Sequence, residues 1–242
     1  IFCYSYIVTY KEGKLNKANT FLEKITNNPF YNEECKFFTN NNNFLNDKKF
    51  NERIVNCNKK YKKFVLILGD SHSVDLFNAF SQNFLDYKYV ININRGGCRP
   101  SINDEKCHYL EALKFINTQN ENLLFVLFTH KGSYFLTNKC GKALKGESRC
   151  RRLPIDQEQL NNTFNYLDKI KTISNLIFLG PHLDPNIEIN YGSLKKLLQK
   201  DANLKELDQT NYDLLIVDRE LKKVSSDRKI IYFSKIDILN FS

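Results

Sequence analysis

The 242-residue sequence has no methionine, even at position 1, no Cys-x-x-Cys pair among its seven cysteines, no basic block of five residues and no internal repeat. Without a methionine the chain reads as a piece of a longer polypeptide. Its opening, Ile1-Phe2-Cys3-Tyr4-Ser5-Tyr6-Ile7-Val8, is shorter than the roughly 20 apolar residues that span a bilayer, so it is either the end of a membrane helix or an ordinary buried strand. Without Cys-x-x-Cys spacing, a structural zinc site or a dithiol redox motif is disfavoured. The formal charge of +9, from 36 basic and 27 acidic residues, is spread along the chain. It describes a solvated, mildly anion-attracting surface and argues against nucleic acid as the partner.

The cysteines that are present group locally. Cys98 and Cys107 bracket a short loop containing Pro100, Cys140 and Cys150 bracket one with two glycines, and Cys35 and Cys57 flank the Asn40-Asn41-Asn42-Asn43 stretch. Three local disulfides with Cys3 left over is the economical pairing, and it implies an oxidising, extracytoplasmic compartment. The alternative is free buried thiols in a cytosolic protein.

A composition 42% hydrophobic supports one sizeable α/β domain with an appendage. Residues 1–63 read as the end of a possible membrane segment, a polar linker and a disulfide-pinned extension. Residues 64–242 read as the domain. Within it, short apolar runs at 64–69, 89–94, 123–129, 176–180 and 229–233 alternate with helical lengths. Val74, Phe77, Phe80 and Phe84 recur at helical spacing, as do Leu160, Phe164, Leu167 and Ile170. This alternation predicts a doubly wound, flavodoxin-like α/β/α fold around a parallel sheet of about five strands.

In such a fold the carboxyl ends of the strands form the active edge. That edge would collect Ser71, Arg95-Gly96-Gly97, Thr129-His130-Lys131-Gly132 and Pro181-His182-Leu183-Asp184. Ser71 is the focus, because Phe64-Val-Leu-Ile-Leu-Gly69 runs directly into Asp70-Ser71-His72-Ser73 and a helix. A serine at this turn is exposed beside the unpaired N–H groups of a helix start, where an oxyanion can be held. The competing explanation is a serine that merely caps the helix. Asp70 reads as the residue that holds the turn by accepting backbone N–H bonds.

Gly69-Asp70-Ser71-His72-Ser73 after an apolar strand resembles the first sequence block of the SGNH (GDSL-like) hydrolases. With Cys57 upstream and Gly97-Cys98-Arg99-Pro100 downstream, residues 35 to 238 resemble the SGNH domain fused to membrane acyltransferases of the acyltransferase-3 type. The resemblance implies that Ser71 is the nucleophile and that the Ser71 N–H and Gly97 supply oxyanion donors. It also implies association with a membrane acyltransferase domain. The sequence departs from the family pattern twice. Thr129-His130-Lys131-Gly132 stands where the family carries Gly-x-Asn-Asp, so the donor asparagine is absent, and no Asp-x-x-His supplies the base. The base is therefore expected after Ser242, or from a substitute within the chain. His182, which follows a strand and has Asp184 close by, is the first substitute, and His130 the next.

The expected function is an extracytoplasmic, membrane-anchored acyl-ester transferase or esterase acting on O-acyl groups, acetyl above all, of cell-surface glycans. Its partners would be the acylated glycan or an acyl donor. Serine acyl chemistry implies no metal or organic cofactor. Two other classes compete: a non-catalytic glycan-binding domain that positions substrate for a membrane transferase, and a nucleotide-binding domain. The second lacks a full Gly-x-Gly-x-x-G or a P-loop.

Overall fold

The computed structural model describes residues 33–101, 106–136, 155–181 and 212–238. Cys3, Cys140, Cys150 and His182 lie outside them. Strands β1 (Lys36–Thr39), β2 (Phe64–Gly69), β3 (Val90–Asn94), β4 (Leu123–Thr129), β5 (Leu176–Leu179) and β6 (Ile231–Phe233) form one sheet. Its order is β1-β3-β2-β4-β5-β6, and every neighbouring pair is parallel. The helices are α1 (Lys48–Tyr61), α2 (Ser71–Asn83), α3 (Tyr109–Thr118), α4 (Gln157–Lys171), α5 (Tyr212–Asp227) and the short α6 (Lys235–Ile238), with 3-10 turns at Phe44–Asn46 and Gly132–Phe135.

Side chains alternate across the strands, and the two faces bury different partners. Phe64, Leu66, Leu68, Ile91, Ile93 and Phe128 join the larger core with α1, α3, α4 and α5. Val65, Ile67, Val90 and Leu127 meet Phe77 and Phe80 of α2 on the opposite face. The helices thus divide between the two faces of a parallel sheet, the three-layer arrangement expected from the alternating pattern.

The sixth strand comes from the segment that the sequence marks as an extension. β1 pairs with β3 from Lys36↔Val90 to Thr39↔Ile93, and α1 buries Phe50, Ile54 and Cys57. The sheet and its core therefore include residues before Phe64. The four-residue β1 is too short to stand out from its polar surroundings. Its place is secured by the Cys35–Cys57 disulfide, one of two formed among the described residues; the other is Cys98–Cys107. Both are pairings that the cysteine spacing suggests.

Candidate active site

Ser71 is the first residue of α2, at the carboxyl end of the central strand β2. It does not cap the helix. Asp70 is the N-cap, in extended backbone conformation, and its carboxylate accepts from the His72 N–H at 3.0 Å. With capping assigned to Asp70, the Ser71 hydroxyl is exposed and has no hydrogen-bond partner among the described residues. Its own N–H belongs to the first helical turn, whose donors lack intrahelical acceptors.

Asp70 is only 1% exposed, and both of its oxygens are engaged. While Oδ1 takes the His72 N–H, Oδ2 accepts from the Lys131 N–H at 3.1 Å. The Nδ1 of His130 lies 3.8 Å from the same Oδ2. One carboxylate thereby ties the β2–α2 turn to the segment after β4. Gly69 lets these two strand ends close up, since a Cβ there would collide with the Thr129 carbonyl oxygen.

A second chain of bonds holds the first turn of α2 from below. The Ser73 hydroxyl donates to the Asp70 carbonyl at 2.7 Å, the Asn92 amide donates to Ser73 Oγ at 3.0 Å, and the Asn94 amide donates to Asn92 Oδ1 at 2.6 Å. Asn92 and Asn94 point to the α2 face of an otherwise apolar strand. Asparagine at alternate positions of a buried strand is the signal that marks them in the sequence, because a buried amide must find partners.

The loop after β3 lies against the serine. A Cβ placed on Gly96 would stand 3.9 Å from the Ser71 Cβ, and Gly97 adopts φ +81°, a conformation that favours glycine. The Gly97 N–H, an expected oxyanion donor, lies near the Tyr134 hydroxyl. Burial is the main cause that raises the Tyr134 pKa, the Asp70 charge adds to it, and Arg99 and the Gly97 N–H act the other way. Arg99 lies between the Tyr134 ring, 5.6 Å from its centroid, and Asp156 at 3.8 Å.

His130 sits at the expected edge but faces inward. Its ring is enclosed by Tyr134, Phe135, Phe128 and Tyr109. Nε2 lies 2.8 Å from the Cys98 carbonyl, and Nδ1 faces the Lys131 carbonyl at 3.4 Å as well as Asp70. Both nitrogens therefore face oxygen acceptors, a setting for donation and not for taking a proton from Ser71. His108 is also enclosed. Its ring nitrogens find no hydrogen-bond partner among the described residues, and burial, with His130 and Arg95 nearby, lowers its pKa to about 3. His182, the first substitute base, lies outside the described residues.

Ser71 opens into a cleft of about 370 Å³, lined also by Phe38, Asn40, His72, Val74, Asp75 and Asn94. Its volume falls within the range of small-molecule sites, near the lower end. On the far side of Ser71 the Lys235 ammonium donates to Thr129 Oγ1 at 3.0 Å, which sets a cation beside the end of β4. Among the described residues no three His, Cys, Asp or Glu side chains group as metal ligands. None of the described helices is long and apolar enough to cross a membrane.

The family model described as SGNH domain (fused to AT3 domains) matches residues 34–239. That span includes β1. No curated protein matches the chain.

Proposed function

The chain belongs to the SGNH domains found fused to AT3 domains, and from this membership and the setting of Ser71 we propose that it is an extracytoplasmic serine acyl-ester enzyme, a transferase or esterase. Its substrates would be O-acyl, chiefly O-acetyl, groups of cell-surface glycans, handled together with a membrane acyltransferase domain. The observation that carries the reading is the uncapped, exposed Ser71 at a helix start over the carboxyl edge of the sheet, opening into a cleft. The two disulfides fit the compartment.

In the proposed reaction Ser71 Oγ attacks the acyl carbonyl and gives its proton to a base. The oxyanion is held by the Ser71 N–H and by the Gly97 N–H of the loop after β3. Collapse of the intermediate breaks the ester C–O bond and leaves the acyl group on Ser71, while the base gives the proton it took to the departing alkoxide, which leaves as a neutral alcohol. Water or a sugar hydroxyl then attacks the acyl-serine, and its proton passes to the same base. With His130 turned inward and His108 buried, His182 is the substitute base that we assign within this chain.

A second reading keeps the glycan and removes the chemistry. Where the family pattern carries Gly-x-Asn-Asp, this chain has Thr129-His130-Lys131-Gly132, without the donor asparagine and with a histidine whose ring braces the fold. A non-catalytic glycan-binding domain that positions substrate for a membrane transferase accounts for that replacement. A fluorophosphonate probe separates the two: labelling that disappears in Ser71→Ala requires an activated serine, whereas an unlabelled folded protein favours the binding domain.

A further inference from the structure

All six strands run the same way and the helices that connect them return in the opposite direction, so strand starts and helix ends collect at the amino edge of the sheet, away from Ser71. Hydrogen bonds tie that edge together. The Lys63 ammonium donates to the Glu121 carbonyl at 2.6 Å and the Asn122 amide to the Lys62 carbonyl at 2.7 Å, which joins the starts of β2 and β4. The Lys36 ammonium reaches the Ser81 carbonyl and joins β1 to the end of α2, while Lys60 pairs with Glu34 at 2.6 Å and joins β1 to the end of α1. The residues before Glu33, with the apolar run Ile1–Val8, enter the domain at this same edge.

The turn after α2 carries Phe84 and Leu85, which are 53% and 59% exposed although the turn itself is fixed. Phe84 stacks on Phe80 with centroids 4.7 Å apart, the Tyr87 N–H donates to the Phe84 carbonyl at 3.2 Å, and the Tyr87 ring packs onto Phe80 and Phe125. Two large apolar side chains are thus held outward on a packed base, the pattern of a contact surface. The same edge presents exposed Lys59, Lys60, Lys62 and Lys63 at the end of α1 and Lys88 before β3, with Glu33, Glu34, Asp86 and Glu121 among them. Further along it, Lys169, Lys171, Arg228 and Lys229 face Asp168 and Asp227, so the described part of the edge is net positive. Lysines at a helix end complement the helix dipole. That accounts for Lys59 and Lys60 but not for an exposed Phe-Leu pair at the same edge.

We propose that the amino edge is a membrane-contact surface that rests on anionic phospholipid, with Phe84 and Leu85 inserted at the boundary of headgroups and acyl chains and the lysines of the α1 end and Lys88 on the headgroups. Lysine alone serves an acidic polymer as well as a lipid. A fixed apolar pair gains free energy only where it leaves water, and that selects the bilayer. The fusion of this family to AT3 domains puts a membrane within reach. Strands rise about 3.3 Å per residue, so Ser71 stands roughly 20 Å above the lipid, at the opposite edge, where glycan in solvent can meet it. The surface is independent of the acyl chemistry, since no step at Ser71 enters it.

The chain has no tryptophan, so a single introduced one reports its own surroundings. Leu85→Trp and, at the opposite edge, Ile238→Trp, whose site is 64% exposed, are checked for folding by circular dichroism. Each is mixed with vesicles of phosphatidylcholine alone or in equal mixture with phosphatidylglycerol, with and without brominated acyl chains. With the mixed vesicles the emission of Leu85→Trp shifts to the blue and is quenched by bromine, Ile238→Trp is unchanged, and neither responds to phosphatidylcholine alone. Lys59→Gln and Lys88→Gln, each combined with Leu85→Trp, weaken partition into the mixed vesicles about fivefold, the effect of about 1 kcal/mol per lysine at an anionic surface. The same results in a Ser71→Ala background keep the surface even if the acyl-serine chemistry fails. No blue shift with the mixed vesicles, an equal response to phosphatidylcholine alone, or quenching of Ile238→Trp as strong as that of Leu85→Trp each overturns the proposal. Binding of dextran sulfate by the wild-type chain, with no response to lipid, overturns it as well and assigns the lysines to an acidic polymer.

Discussion

The Nε2 of His130 lies 2.8 Å from the carbonyl oxygen of Cys98, so the histidine after β4 anchors the loop that carries Gly96 and Gly97 past Ser71. The same ring sits beside Asp70, and Asp70 fixes the serine turn. Three strand ends, those of β2, β3 and β4, are thus joined through one buried side chain. An imidazole in this role stabilises the site and leaves proton transfer to another group.

Replacing His130 with Phe keeps an aromatic ring there and leaves the Cys98 carbonyl without its donor. A buried acceptor left unpaired costs about 1–3 kcal/mol, and urea denaturation should show a loss of that order. Fluorophosphonate labelling of Ser71 should slow in the folded variant, because the glycine loop loses its anchor. Labelling at an unchanged rate would show that the loop holds its position without the histidine.

Asp70→Ala removes the N-cap of α2 and the acceptor for the Lys131 N–H at once. The combined loss is expected at about 2–4 kcal/mol. Asp70→Asn keeps a carbonyl oxygen for one of the two N–H groups and should recover part of that stability. Thermal melts of the two variants check the ordering, and equal losses would contradict it.

The burial of His108 makes stability depend on pH. Its folded pKa is lowered to about 3, whereas in the unfolded chain it titrates near the ordinary histidine value of about 6.5. Below that value the unfolded state gains a proton that the folded state refuses, so stability falls as the pH drops from about 6.5 toward 3, by up to about 1.4 kcal/mol per unit. Above pH 7 the effect is absent. Denaturation of wild type and His108→Phe at pH 7.5 and 5.0 should show a smaller acid loss for the variant, and parallel losses would place His108 in contact with solvent.

The two disulfides should contribute unequally. On the chain-entropy account, the Cys98–Cys107 bridge, with a sequence separation of 9, is worth about 2.6 kcal/mol, and the Cys35–Cys57 bridge, with a separation of 22, about 3.4 kcal/mol. The paired Cys→Ser variants measure each value. Loss of the Cys98–Cys107 bridge should also slow Ser71 labelling, since that bridge closes the loop beside the serine.

The apolar runs of β2, β3 and β4 and the helical spacings of α2 and α4 are legible because burial writes itself into composition; β6 is apolar in sequence although its edge position leaves Ile231 and Phe233 exposed. Lys36-Phe37-Phe38-Thr39 has no such signature: β1 is an edge strand of four residues, and its Lys36 is accommodated because its ammonium donates to the Ser81 carbonyl at 2.7 Å. Ser71 and Asp70 could be singled out from the turn between strand and helix. That capping falls to Asp70 and leaves Ser71 open depends on backbone angles that a sequence does not carry.

By itself the sequence determined the parallel α/β architecture, the position of Ser71 at the carboxyl edge of the sheet and two cysteine pairings, because strand–helix alternation, a turn and short loops are local features. Only the tertiary structure decided that His130 faces Cys98 and Asp70 and that Phe38, Asp75 and Asn94 share one cleft with the serine. Those relations join residues far apart in the chain, and they depend on which strands become neighbours and on the direction each side chain takes when the sheet is packed.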